Sequence, residues 1–177
     1  LIYIPNMITI GNFICGILAI HSLLFHHVHS AVMLIFTGMF FDLFDGFAAR
    51  KLNVVSEIGK ELDSLADLVT FSVAPSMLAY SVSLYELPLI GLLCALAFSV
   101  CGMLRLARFN AEQSKLSTFI GMPAPFAAIC LVVLSFVHNP VILAIGTCIL
   151  AYLMVSRVKF PHFKSQAPEN VETQGWN

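Results

Sequence analysis

The chain has 177 residues, of which 59% are hydrophobic and 11% charged, with a formal net charge of −1 and a mean hydropathy of +0.90. These values lie far from those of soluble domains, and without a basic stripe they exclude a nucleic-acid binder. They describe an all-α, polytopic membrane protein of one domain.

Six apolar stretches are long enough to cross a bilayer, which takes roughly 20 residues of helix: 3–25, 31–50, 57–82, 88–109, 120–137 and 140–157. The connections HHVHS (26–30), SLYELP (83–88) and VHNP (137–140) contain no Lys or Arg; all nine basic residues, from Arg50 to Lys164, fall on the other side. The positive-inside rule makes that side cytoplasmic and places both termini there. The first stretch lacks a basic leader and runs straight into a second span, so a cleaved secretory signal is not expected.

Within the first stretch, Pro5, Asn6 and Thr9 form a polar notch at the cytoplasmic mouth, for which a helix start is sufficient reason in the case of Pro5 and Asn6. The HHVH run that follows is read as a polar outer loop, because its three histidines have no Cys or carboxylate nearby to complete a zinc set. The second and third spans carry all four aspartates of the chain, Asp42, Asp45, Asp63 and Asp67. The fourth ends in RLARFN, with Arg105, Arg108 and Asn110, and the fifth opens on GMPAP, whose prolines suit a helix start at the cytoplasmic interface. Five cysteines scattered through the spans, with no CxxC pair, read as small packing residues. The six-span domain is expected to cover 1–158 and a short cytoplasmic tail 159–177.

The aspartates hold the most chemical information. Asp42 and Asp45 are related by i, i+3 and Asp63 and Asp67 by i, i+4, so each pair projects from one face of its helix. At a rise of ~1.5 Å per residue, Asp45 and Asp42 lie ~8 and ~12 Å inward of Arg50, and Asp63 and Asp67 lie ~10 and ~16 Å inward of Ser56. Two antiparallel helices thus bring four carboxylates to nearly one level. Gly46 and Gly59 would let a backbone or a ligand come close there.

Each ionised Asp in a span costs ~3 kcal/mol on insertion scales before mutual repulsion is counted. The nearby cations Arg50, Lys51 and Lys60 cannot balance four aspartates together with Glu57 and Glu61. Carboxylates are hard ligands, and a set of four suits two Mg²⁺ or Mn²⁺ ions that share ligands. Such a pair at a membrane interface is suited to phosphoryl transfer on a lipid whose diphosphate lies at the headgroup level.

Residues 42–67, DLFDGFAARKLNVVSEIGKELDSLAD, read as DxxDGxxARx₈GxxxDxxxD. This resembles the signature of the CDP-alcohol phosphatidyltransferases at every defined position, and the six-span layout extends the resemblance over most of the chain. The resemblance implies two divalent cations, Mn²⁺ or Mg²⁺, held by Asp42, Asp45, Asp63 and Asp67, with Asp67 also taking the proton from the attacking alcohol. It implies contact with the CDP-lipid through Asn6, Thr9, Gly46, Ala49, Arg50 and Ser56, although Ser56 is equally well read as a helix N-cap. It also implies a homodimer in the bacterial plasma membrane with its site facing the cytoplasm.

The flanking segments IPNMITIGNFICGILAI, ELDSLADLVTFSVAPSMLAYS, GMLRLARFN and FIGMPAPFAA resemble the serine-using, membrane-embedded branch of that family found in Bacillus-like bacteria. Many glycerophosphate-type relatives have a PNxLTxxR-like start, where this chain has Gly11 and Asn12 and no Arg before Arg50. The implied reaction joins CDP-diacylglycerol and L-serine, with Arg105 and Arg108, and more weakly Asn110, as candidates to receive the serine carboxylate. The alternative for both arginines is ordinary positive-inside anchoring or contact with lipid headgroups. Glycerol 3-phosphate or an inositol phosphate as acceptor is the alternative within the family. A cation channel or transporter is the alternative outside it, disfavoured because all four acids lie toward one face of the bilayer.

Overall fold

The computed structural model describes residues 3–52, 57–112 and 122–156, and among them every regular element is helical. Helix α1 (Tyr3–Leu24) and α2 (Val28–Leu52) form an antiparallel pair. Helix α3 (Glu57–Asp67) runs through a π-helical turn (Leu68–Val73) into α4 (Ala74–Val82), making one continuous rod. A short 3₁₀ turn (Leu84–Glu86) leads to α5 (Pro88–Glu112), followed by α6 (Ala124–Ser135) and α7 (Pro140–Val155).

Four of these rods are long and apolar enough to cross a membrane: Asn6–Leu24, Val28–Phe47, Ile58–Val82 and Pro88–Ala111. Helices α6 and α7 are apolar but shorter, at 12 and 16 residues. The six crossings expected from hydropathy therefore correspond to four helices of full length and two short ones. The start of α6 is set by proline: Pro123 is extended, and Pro125 sits in the first turn, where a missing N–H costs nothing. The tail expected over 159–177 lies outside the described residues.

The turn between α1 and α2 is shorter than the sequence suggests, because helix resumes at Val28. His26 adopts a left-handed φ of 60°, with its N–H bonded to Leu23 O and that of His27 to Ser22 O. This is a Schellman ending, in which the chain reverses while the last carbonyls of α1 find donors. Between α6 and α7, Asn139 caps α7, its side-chain oxygen accepting from the N–H groups of Val141 and Ile142.

Packing follows the rule for helices in lipid, where small residues allow close approach. Ala19, Ala31 and Ala74 lie with Ile35, Leu78 and Val132 between α1, α2, α4 and α6. A larger cluster centred on Phe98, Leu131, Leu143 and Met154 joins α5, α6 and α7. The cysteines are free thiols; Cys94 and Cys148 meet across α5 and α7 with their sulfurs 3.4 Å apart. Helix α3 is turned inside out relative to a soluble amphipathic helix: Ile58 and Leu65 are exposed, while Ala66 is buried and Asp63 is partly so. An outward apolar face and an inward polar one are what a lipid surround selects.

Candidate active site

Three helices contribute to one acidic layer. Asp42 and Asp45 come from α2, Asp63 and Asp67 from α3, and the hydrogen-bond donors that meet them come from α1, which packs against both. Asp42, Asp63 and Asp67 each place a carboxylate oxygen within 4.8 Å of the others. Asp45 lies beside this trio, close enough to Asp63 to repel it electrostatically, and is 5% exposed. Its Oδ2 accepts a hydrogen bond of 2.9 Å from Thr9 Oγ1.

The remaining partners are few. Asn12 Nδ2 donates to Asp67 Oδ1 at 3.2 Å, and Asp63 Oδ1 is buried with no hydrogen-bond partner. Arg105, on α5, is near enough to Asp67 to interact with its charge, yet its Nε is also buried and unpartnered. Like-charged carboxylates drawn together, with an orphaned oxygen among them, form a donor set of the kind a cation takes. Hard oxygens at this spacing fit a divalent ion, and neutralisation by such an ion would offset the repulsion that otherwise drives the two helices apart.

The other residues singled out in the sequence are distributed more unevenly. Asn6 is half-buried on α1, and Thr9 is spent in part on Asp45. Gly46 follows Asp45 on α2 and is half-buried. Ala49 and Arg50 belong to the last turns of α2, but their side chains lie outside the described residues, as does the whole of Ser56. Arg108 Nη1 donates to Val155 O at 3.0 Å, which ties α5 to the end of α7. Asn110 is engaged with α3: its Nδ2 reaches Ser64 Oγ at 3.0 Å and Glu61 Oε2 at 3.3 Å.

Sequence reasoning passed over Asn12, Ser64 and the π-helical turn. A signal existed for the first: Asn12 is three residues from Thr9, so the two side chains share a face, and an amide deep in an apolar span is itself unusual. Ser64 stands between Asp63 and Asp67 and gives no such hint. A π turn has no composition that distinguishes LVTFSV from an ordinary helical segment.

Comparison with known proteins bears on this geometry. The family profile described as CDP-alcohol phosphatidyltransferase matches residues 2–158. A Bacillus subtilis protein named "CDP-diacylglycerol--serine O-phosphatidyltransferase" is 74% identical over 175 residues, covering 99% of both chains. Proteins of the same name from Methanocaldococcus jannaschii and Helicobacter pylori are 37% and 34% identical, covering 94% and 90% of this chain and 77% and 72% of their own.

Proposed function

The chain belongs to the CDP-alcohol phosphatidyltransferase family, and from that membership we propose that it transfers the phosphatidyl group of CDP-diacylglycerol to the hydroxyl of L-serine, releasing CMP. It is a transferase of phospholipid biosynthesis, embedded in a membrane. The observation that carries the reading is the meeting of Asp42, Asp63 and Asp67 within 4.8 Å on the spacing DxxDGxxARx₈GxxxDxxxD.

Asp42, Asp45, Asp63 and Asp67 would hold two divalent cations, Mn²⁺ or Mg²⁺. When bound, these supply charge neutralisation for the diphosphate and for the oxygen on which CMP departs. Gly46, Ala49 and Arg50 on α2, Ser56 beyond it, and Asn6 and Thr9 on α1 border the CDP-lipid. Asp67 takes the proton from the serine hydroxyl; the hydroxyl oxygen then bonds to the phosphorus that carries diacylglycerol, and the bond from that phosphorus to CMP breaks. Arg105, with a free buried donor and Asp67 nearby, is the side chain best suited to receive the serine carboxylate. Arg108 and Asn110 are committed to Val155 and to Ser64 and Glu61, and contribute to that pocket by holding α5 in place.

The domain comprises residues 1–158 as six spans, with both termini, the tail 159–177 and the acidic layer on the cytoplasmic side of a bacterial plasma membrane. This orientation rests on the absence of Lys and Arg from the other face. The protein works as a homodimer.

The test is an acceptor panel. Purified protein with CDP-diacylglycerol should release CMP with L-serine, and should do so far more slowly with glycerol 3-phosphate or an inositol phosphate. Preference for either of the latter would reassign the acceptor, and no CMP with any of them would remove the enzyme reading.

A further inference from the structure

Asn12 occupies a place that an apolar residue would fill at lower cost. It lies midway along an apolar helix, is 0% exposed, and brings an amide into a region where unmet polar groups are penalised. Only its donor side is used on the neighbouring acid, Nδ2 to Asp67 Oδ1 at 3.2 Å, while its own Oδ1 is buried without a partner. The opposite amide orientation would set oxygen against carboxylate oxygen, so the orphaned atom is the consequence of serving Asp67.

A second contact fixes the same residue from behind. Thr70 Oγ1, in the π-helical turn that begins directly after Asp67, donates to the main-chain oxygen of Asn12 at 3.1 Å. Asp67 and Thr70 therefore both engage Asn12, one through its side chain and one through its backbone. Two glycines clear the space. A Cβ on Gly38 would lie 2.9 Å from Asn12 Oδ1 and 2.6 Å from Thr70 Cγ2, and one on Gly16 would lie 2.6 Å from Thr70 Oγ1. Helices α1, α2 and the π turn thus close around one amide that points at one carboxylate.

We propose that Asn12 is a positioning residue for Asp67: its amide, held by Thr70 and cradled by Gly16 and Gly38, pins Asp67 Oδ1 so that Oδ2 is presented to the serine hydroxyl. A carboxylate turns freely about its Cβ–Cγ bond unless one oxygen is held. A neutral amide holds it without adding a fifth negative charge to the layer, which an acid at position 12 would do. Thr9 makes the matching contact to Asp45 one turn away, so the buried face of α1 is a strip of donors behind the acids.

This rests on Asp67 being the group that accepts the proton, and the experiment separates the two ideas. In the purified full-length protein, Asn12→Leu keeps the branched skeleton and heavy-atom count of the side chain and removes the donor. Its kcat should fall about 10- to 100-fold, the loss usual when a residue that orients a metal ligand is removed. The KM values for CDP-diacylglycerol and serine and the unfolding temperature in detergent should hold, and the solvent deuterium isotope effect on kcat should rise as proton removal becomes limiting. Thr70→Val, which perturbs only the support, should show the same pattern at smaller size and decides the matter if Asn12→Leu does not fold. A kcat within about twofold of the parent in both variants would overturn the proposal, as would losses in which kcat, both KM values and the unfolding temperature move together. Asp67→Asn serves as the reference: if it retains turnover, the role of Asp67 fails and the inference with it, whereas an inactive Asp67→Asn beside a fully active Asn12→Leu removes Asn12 alone.

Discussion

Arg105 and Arg108 are one turn apart in sequence and were equal candidates there; the structure divides them. Arg108 already donates to the terminal carbonyl of α7, whereas Arg105 is half-buried beside Asp67 with a buried Nε to spare. Hydrogen bonds to charged groups contribute about 1.5–3 kcal/mol, so Arg105→Ala should raise the KM for serine by about tenfold or more. Arg108→Ala should leave it close to the parent value. Initial rates over a serine titration provide the check, and a fall in kcat with KM unchanged in Arg105→Ala would mean that Arg105 acts on Asp67 instead of on serine. The aspartates were legible residue by residue because helical spacing alone puts each pair on one face. Asn12 was not, since which distant helix its amide meets depends on packing that short-range periodicity does not encode.

Among the elements, the limits of α1, of the rod formed by α3, the π turn and α4, and of α5 follow closely from hydropathy, and the inverted polarity of α3 is readable once lipid is taken as the solvent. The π turn and the close approach of α1, α2 and that turn are not. They depend on Gly38, where a methyl group would meet Thr70 and Asn12, both fully buried and unable to yield cheaply. Gly38→Ala gains helix propensity of about 1 kcal/mol but overpacks a filled site, at about 1–3 kcal/mol, and the second effect should win. Gly11 is the contrast: a Cβ there would meet only the Phe41 ring at 3.6 Å, an ordinary contact. Thermal unfolding in detergent should therefore show Gly38→Ala below the parent and Gly11→Ala at or above it. Equal unfolding temperatures for the two variants would contradict the packing described here.

For the molecule as a whole, composition alone identified a membrane protein, and the signature spacing pointed to its chemistry before any fold was considered. The expected stretch 120–137 runs past the ends of α6 because a hydropathy window crosses the helix start set by Pro123 and Pro125, whereas α7 begins at Pro140 as expected. What unites the scales is the acidic layer: donors on α1, acids on α2 and α3 and a half-buried arginine on α5 converge where the chain is otherwise apolar. The most direct test of its purpose is serine-dependent CMP release by the purified protein before and after exhaustive chelation of divalent ions. We expect release to stop on chelation and to return when Mn²⁺ or Mg²⁺ is added back, with no return in Asp42→Asn or Asp63→Asn. Turnover that continues undiminished in the chelated protein would contradict it.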